Sequence, residues 1–145
     1  MKISTKGRYG IRILFDIALN GSGRPRMMRE IAKSQGISEK YISRLILDLR
    51  DAGFISATRG ARGGYSLVRT PADISLLNVV ETMEGHISIV DRIDIPDTTD
   101  KGAVYGMRDV WLILNGKVRE ALASVSLQDI IERHESAEVP AAYSI

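Results

Sequence analysis

Between Met27 and Gly53 the chain spells two short amphipathic helices with almost nothing between them. Met28, Ile31 and Ala32 share one face of a first helix, about Met27 to Gln35, and Gly36 can take the left-handed conformation that ends it. Ser38 can cap a second helix, Glu39 to Ala52, with the inward stripe Ile42, Leu45, Ile46 and Leu49; Gly53 closes it. Two short helices joined by a glycine-containing turn have the shape of a helix-turn-helix. In that motif the second helix lies in the major groove with its N-terminal residues at base edges. Here those residues are Ser38, Glu39, Lys40, Tyr41, Ser43 and Arg44. Hydroxyls and cationic side chains read base edges or hold phosphates, and glutamate can accept from cytosine. A helical hairpin with a merely polar outer face would show the same pattern, so the motif needs a second signal.

The next residues supply it. Phe54 to Thr58 reads as a strand with Ile55 and Ala57 on one face, Arg59 to Gly64 (RGARGG) as a hairpin tip, and Tyr65 to Val68 as the return strand. Glycines let a backbone approach phosphate closely, and Arg59 and Arg62 suit the negative potential of a narrow minor groove. A basic wing directly after a recognition helix is a two-part signal for DNA. Charge agrees. The net charge is only +2, but residues 1–70 hold 14 Lys and Arg against 5 Asp and Glu, and the remainder holds 6 against 13. A basic half favours a polyanionic partner, because each phosphate contact releases counterions.

Flanking elements complete an architecture that is mainly α with a small β-hairpin. Ser4 or Thr5 caps a helix to about Leu19, with Ile11, Leu14, Phe15, Ala18 and Leu19 inward, and Asn20 to Pro25 breaks it. Ser75 caps a further helix through Glu84, ended by Gly85. Residues 86–100 are weakly patterned and read as a loop. From about Gly102, Val104, Trp111, Val118 and Val125 recur every seven residues, with Met107, Leu114 and Ala121 between them, an a/d seam that calls for a partner helix. Ser126 and Asp129 form a capping box for a last helix to about Glu135. The resulting division is a winged helix-turn-helix domain (1–85), a loop (86–101), a long dimerisation helix with a short terminal helix (102–135) and a flexible tail (136–145).

Some classes are excluded. The chain has no cysteine, which removes disulfides and thiolate ligands. It has no apolar run of membrane-spanning length and no signal-peptide pattern, so a cytoplasmic protein is expected by default. Of the only histidines, His86 follows a helix-ending glycine and His134 lies in a polar last helix, so both are expected to face solvent; with no nucleophile–base pair or phosphate loop legible, the chain does not read as an enzyme.

Taken together, MKISTKGRYGIRILFDIA, REIAKSQGISEKYISRLILDLRDAGFI, RGARGGYSL, ISLLNVVETMEG and RDVWLILNGKVREAL resemble the Rrf-two family of bacterial winged-helix regulators, over Met1 to about Asp129. The family includes iron–sulfur cluster regulators and a cysteine-metabolism repressor. The resemblance implies a homodimeric transcriptional repressor on a partly palindromic operator. It implies base-reading positions at Ser38, Lys40 and Ser43, a minor-groove contact from Arg59 with Gly60, and Thr5, Lys6 and Arg8 near the phosphate backbone. In the cysteine-metabolism branch a protein partner can carry the signal. Cluster-binding members carry three cysteines before the long helix; here Arg92, Thr98 (or Thr99) and Gly102 (or Val104) stand near those positions. Arginine cannot ligate iron and none of these is a thiolate, so no iron–sulfur cluster is expected. Two alternatives stay open at this point: a cysteine-substituted form of a cluster-sensing regulator, and an interaction module that regulates, or is regulated by, a partner enzyme.

Overall fold

The first helix, α1 (Thr5–Asn20), starts where Ser4 turns its hydroxyl back to accept from the Lys6 amide at 3.2 Å. A second acceptor comes from far along the chain. One Glu84 oxygen takes the Ser4 amide and hydroxyl, each at 2.7 Å, and the Gly7 amide at 3.1 Å. Free amides and the positive end of the helix dipole make this a favourable seat for a carboxylate.

The computed structural model describes residues 1–90 and 101–138, with the backbone alone for 101–105. After α1 come α2 (Met28–Gln35), α3 (Glu39–Asp51), β1 (Ile55–Thr58), β2 (Gly64–Leu67), a 3-10 turn (Pro71–Asp73), α4 (Leu76–Glu84), α5 (Lys101–Ala123) and α6 (Leu127–Glu138). α1 is central and packs against α2, α3, α4, α6 and β2. Its buried face is Gly7, Gly10, Ile13, Leu14 and Ile17, while Ile11, Phe15, Ala18 and Leu19 are only partly buried on its flanks. The expected stripe is therefore rotated. The glycines mark the closest approach: a Cβ on Gly10 would come within 2.7 Å of the Met83 side chain, and large apolar residues cannot report a contact that requires their absence.

Gly36, at φ +64°, ends α2, and the Ile37 amide reaches back to the Ala32 carbonyl at 3.0 Å. Ser38 caps α3 by accepting from the Tyr41 amide at 3.3 Å, and Ile42, Leu45, Ile46 and Leu49 are all buried. β1 and β2 pair antiparallel with Ile55 opposite Leu67 and Thr58 opposite Gly64. Ile55 is buried but Ala57 is exposed, because the hairpin leaves the core after its first residue. The same register starts the return strand at Gly64 and leaves Val68 outside it.

The segment before α2 takes part in the wing. Arg26 and Tyr65 exchange backbone hydrogen bonds, both 2.9 Å, which adds a rung to the free edge of β2. A Cβ on Gly64 would lie 2.5 Å from the Arg26 carbonyl oxygen, so only glycine permits this approach. The Arg26 side chain turns the other way, and its Nε donates to Asp16 at 2.7 Å. Asp16 is 1% exposed and also accepts from the Ser34 hydroxyl and, at 3.0 Å, from Gln35 Nε2. One buried carboxylate thus joins α1, the end of α2 and the strand that steadies the wing.

Ser75 caps α4. Glu81 on α4 receives the Arg119 guanidinium of α5 and, at 3.1 Å, the Ile87 amide, while Asn115 accepts from the Ile89 amide at 3.1 Å. Residues 86–90 are therefore clasped between α4 and α5. α5 ends at Ala123, so Val125 is not on the long helix, a correction to the expected seam. The heptad count runs into Ser126 and Asp129, whose reciprocal bonds (3.1 Å and 2.7 Å) start α6. Val125 instead accepts from the Leu76 amide through its carbonyl at 2.9 Å. α6 returns to the main core, where Leu127 and Ile131 are buried. His134, expected to face solvent, is half-buried and meets Phe15 edge-on at 5.3 Å between ring centres. No helix among the described residues is long and apolar enough to cross a membrane.

Asp16→Ala leaves Arg26, Ser34 and Gln35 without their buried acceptor; a loss of about 3 kcal/mol is expected, read from denaturant unfolding. A second expectation concerns acid. Arg119 holds the Glu81 carboxyl below its ordinary range, with help from the Ile87 amide against burial. Arg24, and then the Met27 amide, hold Glu30 at about 2. Carboxyls lowered by folding stabilise fully above the usual carboxylate range and lose that contribution as pH falls through it. Unfolding midpoints should therefore fall from about pH 5 towards pH 2, and Glu81→Gln should start lower at pH 7 and decline less steeply.

Candidate nucleic-acid interface

The outer face of α3 begins at its cap. The Ser38 hydroxyl is engaged with the Tyr41 amide, and Ser43 donates to the Lys40 carbonyl at 2.7 Å, so both hydroxyls keep only part of their hydrogen-bonding capacity for a base. Glu39, Lys40, Ser43 and Arg44 are exposed, and Lys40 and Arg44 form no ion pair among the described residues. Tyr41 is less exposed than its neighbours on this face. It is half-buried and packs edge-on against Tyr9, ring centres 5.9 Å apart, which makes it a brace between α3 and α1.

The N-terminus of α1 comes to the same side. Lys6 pairs with Asp48 of α3 at 2.9 Å, and Arg8 donates to the Thr5 hydroxyl at 3.4 Å. The Lys6–Asp48 pair is half-exposed and contributes little stability, so Lys6 can exchange its partner for a phosphate. Arg12, which the sequence reading passed over, lies over the Tyr9 ring at 5.0 Å and donates to the Gln35 carbonyl at 2.7 Å. It thereby ties α1 to the turn that presents Ser38.

In the wing, Arg59, Gly60 and Arg62 are all exposed, and neither arginine forms an ion pair among the described residues. Gly60 has φ +108° and nothing within 4 Å of its missing Cβ, so the tip is open to an approaching backbone. The Gly63 amide closes the turn on the Gly60 carbonyl at 2.9 Å.

Of the residues expected at a dimer contact, Met107, Trp111 and Leu114 are large exposed apolar side chains on α5, Val118 is half-buried and Ala121 exposed. Val110 and Ile113, outside the expected seam, are exposed beside them. The side chain of Val104 lies outside the described residues, as do Arg92 and Thr98; Gly102 falls in the first turn of α5.

Asp16, Arg26 and Glu84 support this surface without being part of it, and sequence reasoning missed all three. Asp16 carried a faint signal, as the only acid in a helix whose other charges are Lys6, Arg8 and Arg12. Glu84 carried none, since its partners lie 77 to 80 residues away.

Comparison with known proteins agrees with this geometry. The model of the Rrf2 family, described as an iron-dependent transcriptional regulator, matches residues 3–133. The HTH-type transcriptional regulator CymR of Bacillus subtilis is 35% identical over 130 residues, 90% of this chain and 89% of CymR. The protein rrf2 of Nitratidesulfovibrio vulgaris is 41% identical over 111 residues, 77% of this chain and 74% of that protein. Among solved structures, the global cysteine regulator CymR of B. subtilis superposes with a TM-score of 0.78 at 34% identity, covering 92% of this chain and 98% of that one. IscR of T. potens superposes with a TM-score of 0.77 at 33% identity, covering 99% and 96%.

Removing the cation of the wing should weaken binding directly. Arg59→Ala is expected to cost about 1–3 kcal/mol against a selected operator. The logarithm of the binding constant should fall linearly with that of salt, with a shallower slope for the variant.

Proposed function

The chain belongs to the Rrf2 family and is a DNA-binding transcriptional regulator; we propose that it acts as a homodimeric repressor on a partly palindromic operator. The observation that carries the DNA reading is the coincidence, on one side of the molecule, of unpaired cations from α3 with the Lys6 end of α1. Lys40, Ser43, Arg44, Glu39 and the remaining capacity of Ser38 face the bases. Thr5, Lys6 and Arg8 lie against the phosphates, and Arg59, with Gly60 and Arg62, follows the adjacent minor groove.

The dimer rests on α5. A helix that leans on α4 and leaves Met107, Trp111 (38% exposed) and Leu114 uncovered, with Val110 and Ile113 beside them, needs a second apolar surface. A second copy supplies it and places two recognition helices about one DNA turn apart. Val118 and Ala121 continue that contact; Val125 does not.

The family is described as iron-dependent, but the donor set here does not fit an iron–sulfur cluster. The chain has no thiolate, Arg92 and Thr98 offer no substitute, and Gly102 has no side chain. His86 is engaged with Glu81 and Arg119, and no three potential metal ligands cluster among the described residues. We therefore assign the signal to something other than a resident cluster. In its place we propose a regulatory protein partner.

Selection of operators from genomic DNA with the purified protein tests the reading. Recovery of a motif with two inverted halves supports it, and recovery of no motif overturns it. Trp111→Glu should convert the dimer to monomer in sedimentation and lower operator affinity; a variant that stays dimeric would remove α5 from the interface.

A further inference from the structure

Leu47, in the third turn of α3, is 47% exposed. At ~100° per residue, Lys40, Arg44 and Leu47 fall within ~60° of one another, about opposite the buried stripe. Leu47 therefore lies on the centre line of the face that Lys40, Ser43 and Arg44 turn outward. The helical rise puts it ~10 Å beyond Lys40 and ~5 Å beyond Arg44, about three base-pair steps and one along the groove. The other large exposed apolar side chains among the described residues are Met1, Val68 and the α5 set between Met107 and Leu114. Leu47 is thus a single apolar group inside a charged surface, too small to be a protein-docking patch.

One feature of the major groove suits such a group. Thymine alone among the bases presents a methyl there, and an apolar side chain is what reads it. We propose that Leu47 is a specificity-determining residue that packs on the methyl group of one thymine in each operator half-site. The proposal rests on α3 lying in the major groove, as in the preceding reading. Lys40 and Arg44 seat the helix, and Leu47 then rejects cytosine at the position it covers, because the amino group there would lose its water without gaining an acceptor.

The test uses the full chain and a selected operator in which thymines are replaced one at a time, in both half-sites, by deoxyuridine, which removes only the methyl. One replacement should weaken the wild-type protein roughly fourfold per half-site and leave Leu47→Ala unaffected. Leu47 is at the surface, so the variant is expected to fold, and its thermal transition checks this. If no uracil discriminates between wild type and variant, or if Leu47→Ala weakens every operator equally, the proposal is overturned. Lys40→Ala and Arg44→Ala separate the two levels. Weaker binding by those variants with no uracil coupling rejects Leu47 alone, whereas unchanged binding rejects the placement of α3 itself.

Discussion

The buried carboxylate of Asp16 is the constraint around which the helix-turn-helix and wing are arranged. At 1% exposure its oxygens are cut off from water, and they receive Arg26, Ser34 and Gln35 instead. Those partners come from two segments that adjoin the reading surface. Arg26 holds the edge of β2 through its backbone, and Ser34 and Gln35 end the helix that precedes the recognition helix. A change in the angle between wing and recognition helix would leave one of these groups unsatisfied inside the protein. The network therefore acts on geometry more than on net stability, since a buried pair seldom outperforms well-packed apolar residues.

α4 plays a second organising role. Glu84 at its end accepts the first amides of α1, next to Thr5 and Lys6, while Glu81, one turn earlier, accepts from Arg119 and from the backbone at Ile87. One short helix is thus in hydrogen-bonded contact with the N-terminal end of α1 and with the root of the segment leading to α5. Its close seat on α1 depends on Gly7 and Gly10, where a side chain would collide with Glu84 or Met83.

The helices and the wing were legible because their signals are local. Ser4, Ser38 and Ser75 each cap the helix expected after them, and Ile42, Leu45, Ile46 and Leu49 are all buried. The exposed apolar side chains of α5 were legible in part. Seven-residue spacing identified Met107, Trp111 and Leu114 but ran on to Val125, because a repeat has no built-in terminus and the competing signal was the Ser126–Asp129 cap. The inward face of α1 was misjudged for the converse reason, that glycine contacts leave no apolar mark in a sequence.

By itself, then, the sequence determined the order of elements, the basic character of the first half and the presence of a recognition helix and a wing, all of which follow from neighbours a few residues apart. It also settled the chemistry that cannot occur, since no fold supplies a thiolate to a chain without cysteine. Only the tertiary structure decided how those pieces face one surface. Tyr41 was placed as a brace between α3 and α1, α6 joined the main core, and Asp16, Arg26 and Glu84 emerged as the groups that set the angles. The physical reason is distance along the chain. A cap or a stripe is specified by residues within one or two turns, whereas the partners of Glu84 lie 77 to 80 residues away and the backbone partner of Arg26 is Tyr65, and these meet only once the core has formed.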